Sequence, residues 1–129
     1  MPSGLARLKR RADFVRVTAK GRRAVRPGFI LQAAPRSAEA ERGEAVRIGF
    51  TASRKVGNAV VRNRAKRRLR ALATEVLVGR GRPGIDYVLI ARAATGDRPY
   101  AELVSDLEGA LRQVERTPRE SRPRPAEER

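Results

Sequence analysis

Val46 to Arg70 reads VRIGFTASRKVGNAVVRNRAKRRLR, and its apolar period changes halfway along. In the first part Val46, Ile48 and Phe50 alternate with Arg47, Gly49 and Thr51, the two-residue period of a strand with one packed face and one free face. Lys55-Val56-Gly57 then turns the chain, and Asn58 occupies the place of a helix N-cap. Beyond it Val61, Ala65, Leu69, Leu72, Ala73 and Val76 fall within one arc at about 100° per residue. The reading is strand, turn and helix, the helix running from about Ala59 to Val78 and closed by Gly79. The same stretch is strongly cationic: Arg54 to Arg70 holds eight Lys or Arg and no acid. Arg62, Lys66 and Arg70 lie on one flank of the helix with Asn63 and Arg67 beyond them, and Arg64 and Arg68 emerge on the other flank.

Working outward, Tyr87-Val88-Leu89-Ile90-Ala91 has the continuous apolar character of a strand buried on both faces, which places it centrally in a sheet. A strand, a helix of some twenty residues and another strand permit a parallel crossover. Towards the N-terminus, Phe29 to Ala34 reads as a strand before Pro35, Arg22 to Val25 as a basic approach able to add another, and Ala12 to Ala19 as a short helix ended by Gly21. Asp13 near the start of that helix complements its dipole. Ser37 to Ala45 is read as a loop. After Pro99, Tyr100, Leu103, Val104, Leu107, Ala110, Leu111 and Val114 form one face of a second amphipathic helix, whose balanced charge assigns it to packing. The expectation is an α+β fold, a two-layer sandwich of a small mixed sheet with about three helices, in a single domain over 1–115. Residues 116–129, Pro-rich and charged, are expected to form a disordered tail.

Composition narrows the function. The chain has 129 residues and a formal charge of +16. Residues 1–74 carry 20 basic and 4 acidic side chains against 10 and 10 in residues 75–129, so the whole excess lies in the first part. Such localised charge marks a binding surface for a large polyanion. Cysteine and histidine are absent, which removes disulfide partners, thiolate nucleophiles, imidazole bases and the usual zinc ligands. No apolar run approaches a membrane span, so no membrane partner and a cytoplasmic protein are expected. Two-metal phosphodiester hydrolysis needs converging carboxylates. The basic half offers only Asp13, Glu39, Glu41 and Glu44, three of them in the loop, so catalysis is placed outside the polypeptide. A structural RNA-binding protein of ribosomal or chaperone type stays open on composition. A DNA-binding regulator is disfavoured because no helix precedes the basic one at helix-turn-helix spacing.

Arg11-Ala12-Asp13-Phe14 followed by Gly21, and above all the block from Gly49 to Arg70 with Arg62-Asn63-Arg64 inside it, resembles the protein subunit of bacterial ribonuclease P; the similarity runs from about Arg7 to Leu111. The resemblance implies a compact α+β fold whose crossover is left-handed, against the usual rule. It implies a catalytic RNA subunit that uses Mg2+ held mainly by RNA, and a protein that binds this ribonuclease P RNA and the 5′ leader of precursor tRNA. Endonucleolytic removal of the leader then produces the mature tRNA 5′ end. Protein oligomerisation is not implied.

Carried over, Arg62, Asn63, Arg64, Lys66, Arg67, Arg68 and Arg70 are the expected contacts to the RNA subunit. Phe14, Thr18, Gln32, Arg47, Thr51, Arg54 and Lys55 are expected to meet the leader in a central cleft, and no residue of the chain is assigned a catalytic role. The resemblance also draws Phe29 and Phe50 towards that cleft, but their alternation favours core packing. Thr18 and Gln32 stand where the family often has aromatics, which shifts leader contact here towards hydrogen bonds and cations.

Overall fold

The computed structural model describes residues 5–35, 46–82 and 84–116. The elements are β1 (Leu5–Arg7), α1 (Arg11–Lys20), β2 (Arg22–Val25), β3 (Phe29–Pro35), β4 (Val46–Thr51), α2 (Ala59–Arg80), β5 (Ile85–Ala91) and α3 (Tyr100–Arg116), with a 3-10 turn at Ala93–Gly96. The five strands form one mixed sheet in the order β1-β4-β5-β3-β2, parallel at β1/β4 and β4/β5 and antiparallel at β5/β3 and β3/β2. The β5 strand is central, as the apolar run from Tyr87 to Ala91 within it led us to expect, and β4–α2–β5 is the parallel crossover. The expected loop of residues 37–45 lies outside the described residues, as does the expected tail beyond Arg116, which itself still belongs to α3.

The two faces of the sheet are covered unequally. Phe29, Leu31, Val46, Ile48, Phe50, Tyr87 and Leu89 point to one face and pack with Ala65, Leu69, Leu72 and Leu77 of α2 and Leu103, Leu107 and Leu111 of α3. Each such leucine, fully buried, contributes roughly 1.5–3 kcal/mol. Tyr87 is buried with them and accepts the Arg82 N–H at 3.0 Å. Burial pushes its phenol above the usual range, so it stays protonated. On the opposite face a smaller cluster of Leu8, Val17, Ala34 and Val88, with Phe14 and Ile90 against it, is covered among the described residues by α1. The expected α+β sandwich of a mixed sheet with three helices is thus observed, with α2 and α3 layered on one face and, among the described residues, the short α1 on the other.

Two local expectations are corrected and one element is added. The α2 helix passes through Gly79 and ends at Gly81, whose N–H bonds to Leu77 O. A Cβ at Gly81 would meet that carbonyl and Val46 Cγ1, each at 2.9 Å, whereas one at Gly79 would meet nothing, so close approach to β4 selects the terminal glycine. Val61, placed in the buried arc, is 37% exposed, because the first turn of α2 precedes its contact with the core, which begins at Ala65. The short strand β1 is an addition, its Leu5 buried beside Val46.

Asn58 caps α2 through its side chain, which accepts the Val61 N–H at 2.9 Å. No acid lies in the first turn to help it. Asn58→Ala is therefore expected to lower stability by about 1 kcal/mol, read as a fall in the urea midpoint with an unchanged slope.

Candidate nucleic-acid interface

The outer surface of α2 carries the expected cations, and among the described residues none of Arg62, Arg64, Lys66, Arg67, Arg68 and Arg70 is in an ion pair. Several are braced by backbone instead. Arg62 Nη1 donates to Gly57 O at 2.9 Å, Arg64 Nε to Gly96 O at 3.0 Å and Arg68 Nη1 to Thr95 O at 2.8 Å. A guanidinium has five N–H donors, so each braced arginine keeps most of its donors for a ligand while its orientation is set. The guanidinium of Arg70 lies 5.8 Å from the centroid of the Phe50 ring, and its Nε is buried without a partner among the described residues. Asn63, Arg64 and Arg67 are the most solvent-facing of the set. The two flanks read from the sequence are thus real: Arg64 and Arg68 face the 3-10 turn, and Arg70 faces β4. Val60, in the first turn, is 75% exposed beside them.

The second candidate surface is the face of the sheet that α1 only partly covers. Register arranges its side chains in three rows across the strands. The first is Val25, Ile30, Ile90 and Thr51; the second Arg23, Gln32, Val88 and Gly49; the third Ala34, Asp86 and Arg47. Rows are about 7 Å apart, two residues along a strand. The first row is open, with Ile30, Ile90 and Thr51 half-buried and Val25 exposed. Of the middle row, Gln32, Val88 and Gly49 are buried on the side that α1 covers, and Arg23, at the sheet edge, is exposed. A Cβ at Gly49 would stand 2.5 Å from Phe14 Cζ, so the absence of a side chain there lets the Phe14 ring lie on the sheet. Gln32 is 3% exposed, and its Oε1 has no partner among the described residues.

The third row is closed by charge. Asp86, fully buried, receives Arg47 Nε at 2.9 Å and Arg47 Nη2 at 2.7 Å, and Arg16 Nη2 of α1 at 2.5 Å. Asp13 lies 3.4 Å from Arg16 Nη2 and 3.6 Å from Arg47 Nη2, and Arg16 Nη1 also donates to Pro35 O at 2.6 Å.

Of the residues expected to meet a leader, Thr51 lies in the open row beside Ile90, Phe14 packs against the same cluster as Ile90, Thr18 is exposed on α1, and Arg54 and Lys55 are exposed on the turn that leaves β4. Gln32 is one row in and buried. Arg47 is two rows in, its guanidinium engaged by carboxylates. Phe29 and Phe50 belong to the core on the other face, as alternation favoured. Sequence reasoning missed Val25, Ile30 and Ile90 as the floor of the cleft, and Asp86 altogether. An acid inside an otherwise apolar central strand was the available signal, since a buried carboxylate requires a cation partner.

A cationic helix on one side and a half-open sheet face on the other define a small basic α+β protein built to hold a polyanion. The chain belongs to the ribonuclease P protein family, whose model matches residues 3–115, and so to the protein component of an endoribonuclease ribonucleoprotein that processes tRNA. It is 50% identical over 114 residues to the ribonuclease P protein component of Paramagnetospirillum magneticum, covering 88% of this chain and 86% of that protein. It is also 50% identical over 113 residues to that of Ruegeria pomeroyi, covering 87% and 88%. The fold is similar to the RNase P protein of Staphylococcus aureus, with TM-score 0.66 and 30% identity over 83% of this chain and 93% of that one. It also resembles that of Thermotoga maritima, with TM-score 0.68, 23% identity and coverage of 84% and 96%, a likeness of fold alone. Among the described residues no helix is long and apolar enough to cross a membrane.

Proposed function

We propose that the α2 surface binds the catalytic RNA subunit and that the cleft beside α1 receives the 5′ leader of precursor tRNA, so that the protein promotes leader removal in the cytoplasm without supplying catalytic groups. The observation that carries this reading is the pairing of two unlike surfaces on one small fold. Among the described residues the row of α2 cations from Arg62 to Arg70 is in no ion pair, which leaves it available to a folded RNA's phosphates. The cleft is apolar, rimmed by Phe14 and Thr51, with Arg54 and Lys55 at its exit, which suits splayed bases with their phosphates alongside. The Mg2+ implied by the family is assigned to the RNA. Among the described residues, Asp13 and Asp86 on the cleft face are engaged by Arg16 and Arg47 and do not belong to a group of three or more acids that could hold it.

The direct test is leader removal at low magnesium with protein alone, RNA subunit alone and both. Stimulation only in the presence of both is expected. Tight RNA binding without stimulation would leave the protein a structural RNA binder, and cleavage by protein alone would place the chemistry in the chain. Gln32 gives a narrower check. Its buried Oε1 has no partner among the described residues, which costs stability when the cleft is empty, so Gln32→Met is expected to raise folding stability by about 1 kcal/mol. The same change should weaken precursor binding if the amide turns to a leader base. Calorimetric melting and precursor affinity, measured on the same variant, separate the two effects.

A further inference from the structure

We propose that Asp13, Arg16, Arg47 and Asp86 are positioning residues, clamping one flank of α1 to the closed end of the sheet and thereby fixing the height and rotation at which Phe14 and Thr18 stand over the open row. The inference rests on the reading of the cleft as the leader site. On a helix at about 100° per residue, Asp13 and Arg16 share one flank, Val17 points at the sheet, and Phe14 and Thr18 share the other flank. The burial pattern follows this division: Asp13 and Val17 are buried, Arg16 and Phe14 half-buried, and Val15, opposite Val17, is 52% exposed. The apolar contacts beneath α1, made by Leu8, Val17, Ala34 and Val88, are few and have no directional preference. Rotation of so short a helix is therefore set by its directional contacts.

These are concentrated at Asp86. Both carboxylate oxygens of Asp86 are taken by Arg47 from the neighbouring strand, at 2.9 and 2.7 Å, and Arg16 of α1 shares Oδ2. Such a bidentate fork holds a guanidinium in one plane. Arg16 is tied a second time through Pro35 O at the end of β3, so one side chain joins α1 to β3 and β5, and Asp13, 3.6 Å from Arg47 Nη2, adds the link to β4. The two arginines and two aspartates balance in formal charge, so the four side chains add no net cation beside the cleft. Arg47 lies four residues before Thr51 on β4, about 13 Å away at the strand rise. The cluster thus serves orientation, and Arg54 and Lys55 serve the phosphates.

The test uses the reconstituted holoenzyme and compares affinities for precursor and mature tRNA across a range of monovalent salt. Asp86→Asn and Arg47→Gln are each expected to weaken precursor binding about tenfold, the scale of a misplaced recognition group, with mature tRNA binding and the salt slope of precursor binding unchanged. The double variant should be no worse than either single change, because both break one network. A salt slope shallower by about 0.7 in Arg47→Gln alone, the value for one single-strand phosphate contact, would overturn the proposal and make Arg47 a phosphate ligand. Equal losses for both tRNAs would overturn it in favour of folding alone. If Asp86→Asn does not fold, Arg16→Gln, which leaves the Arg47–Asp86 pair intact, carries the same expectation at smaller size, and an unchanged preference for precursor there sinks the idea. Phe14→Ala runs alongside: a holoenzyme that keeps its full precursor preference without Phe14 would refute the leader site itself, not the clamp.

Discussion

Replacing Arg62, Lys66 and Arg67 together with Ala is expected to lower affinity for the RNA subunit by roughly a thousandfold, taking about 1.5 kcal/mol for each charge-assisted contact. The dependence of log K on log salt should also flatten by about two to three units, since each released phosphate contact removes roughly 0.7–0.9 from the slope. These three are chosen because their loss leaves the core intact. None is in the buried set of α2, and the bond from Arg62 Nη1 to Gly57 O is local to the helix start. Arg70 is excluded: its guanidinium covers Phe50, so Ala there would open the core and mix a stability effect with a binding effect. Arg64 and Arg68 are excluded because they hold the carbonyls of Gly96 and Thr95. Binding measured at several salt concentrations, with thermal melts of the free protein as control, checks the expectation. A reduced affinity with the slope unchanged would mean that these cations act on protein shape and do not touch phosphate.

The structure explains why this helix was legible and the cleft much less so. Charge and period on α2 are local properties: residues three and four apart are neighbours whatever the rest of the chain does, so both flanks could be drawn from the sequence. The central position of β5 was legible for a related reason, because a strand covered on both faces has little room for polar residues. Cross-strand neighbours are different, since register is fixed by pairing between distant segments. Alternation showed that Arg47 points to the free face of β4, but not that Asp86 stands directly opposite and takes its guanidinium. Gln32 likewise reads as a polar residue on the free face of β3, and only the path of α1 across the sheet decides that it is covered. The short strand β1 escaped because Leu5-Ala6-Arg7 has no periodicity to read and depends on β4 for its pairing.

Phe14 and Gly49 carry the second large effect. If the ring of Phe14 stacks a leader base, Phe14→Ala is expected to lower precursor affinity of the holoenzyme by about 10- to 100-fold, the scale of 1–3 kcal/mol per stacked base, with mature tRNA binding unaffected. The seat of the ring makes a sharper prediction. Gly49 lies within β4 without a positive φ, so its backbone accommodates Ala, yet the added Cβ would come within 2.5 Å of Phe14 Cζ and must lift the ring from the sheet. Gly49→Ala should therefore reproduce much of the loss without altering any group that touches RNA. In the double variant the small side chain at position 14 leaves room for the new methyl, so the combined loss should equal that of Phe14→Ala alone. The two changes are then strongly non-additive, as expected of residues in contact. Additive losses would mean that Gly49 acts on the leader by another route, through the backbone of β4 and not through the aromatic ring.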